Sequence, residues 1–417
     1  MTTPIIGCIA DDYTGGTDVA AALRRGGLNT VLLFGPPDPH ASLDEPDAVV
    51  IALKTRSLPA AQAVETSLTA QQWLRERGVA QDYFKYCSTF DSTDDGNIGP
   101  VTDALLTARN EAVTVICPAA PEHGRTVYQG HLFVHDRLLS ESSMRHHPLT
   151  PMTDADLIRV LQRQTSHPVA LVPLQIVHQG ADAITDRITE LAADGVRHVV
   201  VDAVDESDLD AIATATRALP IVTGSAGLAG AVGRITPGAV RTGADPHPTS
   251  TGPTVVFAGS CSQTTLGQVA LAREKYASYR LDPRTVDTVG DLLPDAHAWL
   301  TAHLGDDPIL IYSSAPADER GPADPHTAEQ LEKLMGDLAR TAVNAGAHRL
   351  VVAGGETSGA VVDALGVTAV RVDAEADRGV PWCTTLDTDQ PVTLLLKSGN
   401  FGTPDLLVRA ALLGPAE

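Results

Sequence analysis

A chain of 417 residues, 43% of them hydrophobic, has the length for two ordinary domains, each with its own core. Its formal charge of −22 disfavours nucleic-acid backbones and anionic membrane surfaces, both polyanions, yet allows a nucleotide held by locally concentrated positive charge. Cys8, Cys87, Cys117, Cys261 and Cys383 are odd in number, widely spaced and free of any C-x-x-C pair, which points to a reducing cytoplasm and buried small hydrophobes rather than disulfides or zinc ligands. The N-terminus runs straight into a strand pattern, and no apolar run approaches the ~20 residues of a membrane span. A cytoplasmic protein is expected.

Of 30 basic side chains only Lys54, Lys85, Lys275, Lys333 and Lys397 are lysines. Three of these five fall in or just after predicted strands. An ammonium is a compact point charge that can bridge phosphate oxygens, whereas guanidinium is a wide planar fork, so a chain that favours Arg can still need Lys at such places.

In chain order, Pro4 to Ala10 predicts a strand, residues 11–16 (Asp-Asp-Tyr-Thr-Gly-Gly) a turn, and Thr17 to Arg25 a helix ended by Gly26-Gly27. Two adjacent carboxylates at a strand's carboxyl end suit binding of substrate hydroxyls, general-base work or Mg²⁺, although one of them can simply cap the helix. Asn29 to Phe34 and Ala48 to Leu53 predict the next strands, the second delivering Lys54-Thr55-Arg56-Ser57, which suits a small carboxylate or phosphate. A helix over Pro59 to Arg77 follows. Residues 83–93, Tyr-Phe-Lys-Tyr-Cys-Ser-Thr-Phe-Asp-Ser-Thr, read as a strand in which an unpaired Lys85 would be costly, so Asp91, Asp11 or Asp12 is expected beside it. Residues 96–100 lead into a helix.

After a strand at Val113 to Pro118, no regular period appears from Ala119 to Met152, a stretch holding His123, His131, His135, His146 and His147. The i, i+4 pair His131 and His135 lacks helical context and an added Glu or Cys, so a substrate-covering loop is preferred over a metal site. Alternation of strand and helix resumes with strands at Val169 to Val172, His198 to Ala203 and Ile221 to Thr223. The glycines of 224–233 recur every third residue, which does not fit the G-x-G-x-x-G of a dinucleotide turn. Pro237 to Pro253 is rich in Gly, Pro, Thr and Asp and is expected to be a linker and hinge.

A second α/β block follows, with strands at Val255 to Ala258, Tyr279 to Leu281, Ile309 to Ser313, Leu350 to Ala353, Ala369 to Val372 and Val392 to Leu396. Helices are expected near 265–276, 291–303, 327–345, 358–364 and 404–412. The stretch 350–359, Leu-Val-Val-Ala-Gly-Gly-Glu-Thr-Ser-Gly, predicts strand, tight turn and helix. Gly354 and Gly355 would let backbone approach a ligand, and the hydroxyls and free N–H groups at the helix start would face an anion such as phosphate. Gly259-Ser-Cys-Ser and Lys397-Ser-Gly-Asn-Phe-Gly carry the same mixture at other strand ends, where ligands of open α/β sheets bind.

Taken together, Ala-Asp-Asp-x-Thr-Gly near the start, Lys85 to Thr93, Gly-Asn-Ile-Gly-Pro-Val, Gly-Ser-Cys-Ser, Gly-Gly-Glu-Thr-Ser and Leu-Lys-Ser-Gly-Asn-Phe-Gly resemble the four-carbon acid sugar kinases, from residue 5 to about 408. Residues 83–93 and the Ser-Glu-Ser-x-Met-x-x-His-Pro stretch resemble the 3-oxo-tetronate branch rather than the threonate or erythronate branches. Tyr13 and Gly16 depart from the usual Phe and Ala. The resemblance implies two α/β domains with largely parallel sheets and an active site in the interdomain cleft: a sugar-acid domain over 1–236, a linker over 237–253 and a nucleotide domain over 254–417. It implies transfer of the γ-phosphoryl of ATP, with Mg²⁺, to the terminal C4 hydroxyl of a four-carbon sugar acid. Carried over by motif, Asp11, Asp12, Arg56, Lys85 and Ser88 would bind the sugar acid, with Asp12 as the catalytic carboxylate. Ser260, Gly355, Glu356, Thr357, Ser358, Gly359, Gly399 and Gly402 would bind the nucleotide, and the metal ligands stay unassigned. The partners implied are the sugar acid and ATP, without nucleic acid or membrane; a homo-oligomer is compatible. Two other classes compete. A nicotinamide dehydrogenase should show G-x-G-x-x-G after its first strand, and a non-catalytic sugar-acid sensor would not need residues 355–359.

Overall fold

The computed structural model describes residues 5–39, 43, 45–147, 150–236, 252–320, 324–386, 388 and 390–413, which fall into two compact units, 1–241 and 242–417. Nearly all of the 237–253 linker lies outside the described residues. In the first unit the strands are β1 (Ile6–Ala10), β2 (Thr30–Phe34), β3 (Ala48–Ala52), β4 (Gln81–Lys85), β5 (Thr114–Cys117), β6 (Arg125–Tyr128), β7 (His131–Val134), β8 (Arg137–Leu138), β9 (Val169–Val172), β10 (His198–Val201) and β11 (Ile221–Gly224). A parallel sheet runs in the order β2-β3-β1-β4-β11-β5-β10-β9. Every residue of β1, β2 and β3 is buried, as continuous apolar runs require when helices cover both faces.

Three details of this unit differ from the sequence reading. The helix after β1 spans Tyr13–Arg25, so Gly15 and Gly16 lie in its first turn, not in a loop. They are glycines because a Cβ on Gly16 would strike the Ala52 side chain, and one on Gly15 would strike Asp12 and approach Lys85 Nζ to 2.8 Å. The expected strand over 83–93 ends at Lys85; Phe90 and Asp91 then take φ of 65° and 39°, left-handed values that β-strands exclude. The stretch from 119 to 152 contains an antiparallel meander, β6-β7-β8. There His131 lies on a strand and His135 in the next turn with φ of 57°, which breaks the helical spacing a metal pair would use.

The glycines at three-residue spacing also find a physical role. Gly224 ends β11, and Gly227, Gly230 and Gly233 belong to the helix Ala226–Ile235, capped by Ser225, where they allow close packing. A Cβ on Gly233 would lie 3.3 Å from Gly26 Cα, and one on Gly227 would lie 3.1 Å from Ala120 Cα. Removal of side chains lets this helix approach the Tyr13–Arg25 helix and the chain beyond β5.

The second unit holds β12 (Thr254–Ala258), β13 (Ala277–Arg280), β14 (Ile309–Tyr312), β15 (Arg349–Ala353), β16 (Ala369–Asp377), β17 (Val380–Thr385) and β18 (Thr393–Lys397). Their order is β13-β14-β12-β15-β18-β17-β16, parallel from β13 to β18, with β17 antiparallel to both neighbours. The sequence reading missed β17 and ended β16 at Val372. Acidic residues at 373, 375 and 377 disguise β16 as a loop, and Pro381 argues against a strand; the two-residue Arg378-Gly379 link was the available hairpin signal. Trp382 on β17 is fully buried in the core with Val256, Val351 and Leu395.

Both units start in the same way. The chain leaves a central strand (β1 or β12), goes to an edge (β2 or β13), returns beside the centre (β3 or β14), then crosses to its other side (β4 or β15). That reversal creates a crevice at the carboxyl ends of the central strands, where open α/β sheets bind ligands. Among the described residues no helix is long and apolar enough to cross a membrane.

Candidate active site

In the first unit the sheet register collects the charged residues. Ala10 is in register with both Ala52 and Lys85, so the chain leaving β1 emerges beside the turn after β3 and the end of β4. Arg56 donates from Nε to Asp11 Oδ2 at 2.9 Å, from Nη2 to Asp11 Oδ1 at 2.7 Å and from Nη2 to Asp12 Oδ1 at 2.6 Å. Its Nη1 lies 3.7 Å from Asp91 Oδ2. The turn carrying Arg56 is held by Asn97, whose amide donates to the carbonyls of Thr55 and Leu58 at 2.8 Å and of Arg56 at 3.2 Å. One guanidinium thus joins three carboxylates, and a buried amide holds its backbone.

The two aspartates are not equivalent. Asp12 caps the Tyr13–Arg25 helix by accepting from the Gly15 N–H at 3.0 Å, and its side chain is 30% exposed against 8% for Asp11. Burial alone would raise Asp12, but Arg56, Lys85 and the Gly15 N–H outweigh it and hold its carboxyl below the ordinary range. Burial pushes Asp11 up in spite of Arg56. Asp12 is therefore the more acidic and the more accessible member of the pair. Lys85 is 2% exposed; burial would lower it, and Asp12, Asp18 and Asp11 more than reverse that. Of the three carboxylates expected beside Lys85, Asp12 and Asp11 act on it, and Asp18, on the helix after β1, joins them in place of Asp91. Ser88 lies half-buried in the turn after β4. Burial and Asp91 push the Cys87 thiol up to about 12, so it is a neutral group and not a nucleophile.

In the second unit Ala353 is in register with Ala258 and with Lys397, which places the turns after β12, β15 and β18 side by side. Gly354, with φ of 137°, opens the helix Gly355–Leu365, so Glu356, Thr357, Ser358 and Gly359 form its first turn. Close approach explains the glycines. A Cβ on Gly259 would strike Thr357 Oγ1, one on Gly354 would come within 3.1 Å of the Ser260 N, and one on Gly399 would strike Ser260 Oγ. Glu356 is exposed. The Ser358 hydroxyl is buried without a hydrogen-bond partner among the described residues, an orphan that a ligand acceptor would satisfy.

Two features of this unit went unread in the sequence. A cavity of 680 Å³ adjoins the turns, lined by Gly259, Leu281, Pro283, Leu331, Met335 and Thr357 among others; its walls come from segments far apart in sequence, so no motif announces it. Gln268 is the other. It lies on the helix Gln263–Arg273, fully buried, with its amide at 2.8 Å from the Thr403 carbonyl and 3.2 Å from those of Phe401 and Gly402. Among the described residues no group of three or more His, Cys, Asp or Glu is arranged to hold a metal ion.

A carboxylate-rich site in one α/β unit and glycine-rich turns at a helix start beside a mainly apolar cavity in another are the equipment that a small-molecule kinase needs. Comparison with known proteins agrees. A family model for a sugar-binding N-terminal domain matches residues 6–232, and one for a nucleotide-binding C-terminal domain matches residues 255–407. The 3-oxo-tetronate kinases of Burkholderia multivorans and Cupriavidus necator are 47% and 48% identical to this chain, each over 98% of it and 96% of the relative. Solved structures from Salmonella typhimurium LT2 (41% identity, TM-score 0.90, 98% of each chain) and of the Haemophilus influenzae protein HI1011 (41%, TM-score 0.81, 97% of this chain and 98% of that one) share the fold. The chain belongs to the four-carbon acid sugar kinase family.

Proposed function

We propose that this chain transfers the γ-phosphoryl group of ATP to the C4 hydroxyl of 3-oxo-tetronate, giving 3-oxo-tetronate 4-phosphate and ADP. The observation that carries the substrate is the series of relatives named 3-oxo-tetronate kinase, 41 to 48% identical over at least 96% of this chain. The sugar acid is assigned to the unit carrying Asp11, Asp12, Arg56, Lys85 and Ser88. The nucleotide is assigned to the unit carrying Ser260, the 355–359 turn, Gly399 and Gly402.

Phosphoryl transfer asks for positioning and charge more than for covalent chemistry from the protein. The O4–P bond forms as the bond from the β,γ-bridging oxygen to Pγ breaks, and the O4 proton leaves toward Asp12. An ionised Asp12 accepts that hydroxyl as a hydrogen-bond donor and orients its lone pair. Because Arg56 and Lys85 hold Asp12 at low basicity, proton transfer is late, which suits a loose transition state. Lys85 and Arg56 supply the positive charge that a carboxylated substrate needs in a site with several aspartates. The cavity beside Gly259 and Thr357 suits a purine ring, being concave and mainly apolar. Mg²⁺ binds typically through phosphate oxygens and one or two carboxylates; Glu356 is the carboxylate that the nucleotide turn offers.

The test is release of ADP from ATP and Mg²⁺ across 3-oxo-tetronate, threonate and erythronate. The highest kcat/KM is expected for 3-oxo-tetronate. A panel led by threonate would overturn the substrate and keep the kinase, while no ADP with any sugar acid would overturn both.

A further inference from the structure

The backbone of residues 398–403 is turned inside out by buried side chains. The Gly399 carbonyl accepts three hydrogen bonds, from Ser262 Oγ at 2.5 Å, Thr265 Oγ1 at 2.8 Å and Lys397 Nζ at 3.2 Å. The carbonyls of Phe401, Gly402 and Thr403 all accept from Gln268 Nε2. Gln268 and Lys397 are both fully buried, and Lys397 Nζ also donates to Thr265 Oγ1 at 2.9 Å. Ser398 O is occupied by the Phe401 N–H at 3.2 Å, and the Thr403 N–H goes to Asp377 Oδ2 at 2.7 Å.

In a trans peptide the C=O and the following N–H point in opposite directions. Pulling the Gly399 and Phe401 carbonyls inward therefore aims the Asn400 and Gly402 N–H groups outward. Neither N–H has an acceptor among the described residues, and Asn400 is exposed. The two free N–H groups, one on each side of the engaged Phe401 N–H, make a donor pair of the kind that turn backbones present to anions. Gly402, at φ of 89°, supplies the left-handed residue that such a curl needs.

We propose that Gln268 and Lys397 are positioning residues of the nucleotide site, holding the 398–403 carbonyls inward so that the Asn400 and Gly402 N–H groups bind phosphate oxygens of the nucleotide. The inference rests on the assignment of the nucleotide to this unit and adds the donors and the device that presents them. It makes a distinction that a merely structural role would not. Loss of the device should weaken recognition of phosphates and leave the nucleoside untouched.

The experiment is calorimetric titration of the full-length chain with ADP and, separately, with adenosine, for wild type, Gln268→Met and Lys397→Met. Unpairing three carbonyls should weaken ADP by about tenfold or more, with adenosine affinity and the KM for the sugar acid unchanged. Parallel loss of ADP and adenosine affinity, or no loss of either, would overturn the inference. A wild type that binds neither ligand would instead overturn the nucleotide assignment itself. Should both variants fail to fold, amide hydrogen exchange of the wild type decides. ADP, and not adenosine, should slow exchange across residues 399–402; equal effects of the two would refute the phosphate role.

Discussion

Arg56 and Asp11 meet as a two-pronged pair, Nε to Oδ2 at 2.9 Å and Nη2 to Oδ1 at 2.7 Å, and the same Nη2 holds Asp12 at 2.6 Å. Only a planar fork can do both. Lysine in its place would keep the charge and lose the geometry. Arg56→Lys should lower kcat/KM for the sugar acid on the order of 100-fold, the equivalent of about 3 kcal/mol for disrupting a largely buried pair. Steady-state kinetics on both substrates checks this, with the KM for ATP expected to stay within a factor of about two.

Asp12 and Asp11 should separate by substitution. Asp12→Asn removes the carboxylate that orients O4 and should reduce kcat by about 10²- to 10⁴-fold, the usual worth of a positioned base. Asp11→Asn should act more on stability, because Asp11 is buried against Arg56. A pH series adds a sign. Asp12 is held below the ordinary carboxylate range, so it stays ionised as pH falls through about 4, and a group depressed in this way loses its contribution only below that. The kcat of the wild type should therefore show no ionisation between pH 7 and about 4.5 that Asp12→Asn abolishes; a fitted pKa near 6 lost in the variant would show Asp12 raised rather than depressed, and one retained in the variant would assign the base elsewhere.

Lys85 faces Asp12, Asp18 and Asp11 in a buried setting. Lys85→Met leaves three carboxylates with less compensation, and it should cut sugar-acid affinity or turnover by at least about tenfold through desolvated like charges. ADP binding, measured by calorimetry, should survive. Loss of ADP binding with normal sugar-acid binding would reverse the assignment of the two units.

The charged cluster was largely legible because its members are short motifs at strand ends. Asp11 and Asp12, Arg56 and Lys85 each follow an apolar run, and a parallel sheet brings such ends together whatever the intervening helices are. The surroundings of Lys85 were legible in part: Asp12 and Asp11 were expected beside it, and Asp18 was not. Asp18 lies inside the helix after β1, and its role depended on that helix starting at Tyr13, which the glycines at 15 and 16 concealed. Glycine there reflects crowding by Ala52, Asp12 and Lys85, and crowding has no local signature. The same holds for Gln268, whose three acceptors lie more than 130 positions away. Strand β17 was hidden by Pro381, whose unfavourable local signal lost to the burial of Trp382 and Cys383.

Lys397 gives the last prediction. Its ammonium is fully buried, and its hydrogen-bond acceptors, Thr265 Oγ1 and the Gly399 carbonyl, are neutral, so burial lowers its pKa to about 8. Between about 8 and the ordinary lysine value near 10.4, the unfolded chain binds a proton that the folded chain does not, so this group alone makes stability rise with pH across that window. Ligand binding has the opposite slope. Phosphates favour the charged ammonium across a medium of low dielectric, so nucleotide binding should draw a proton onto Lys397 above pH 8, and ADP affinity should fall by up to about tenfold per pH unit. Calorimetry at pH 7, 8 and 9 in two buffers of different ionisation enthalpy measures both the affinity and the protons taken up. Proton uptake is expected to increase from pH 7 to 9 in the wild type and to be absent in Lys397→Met. Equal uptake in the two proteins would place the titrating group elsewhere.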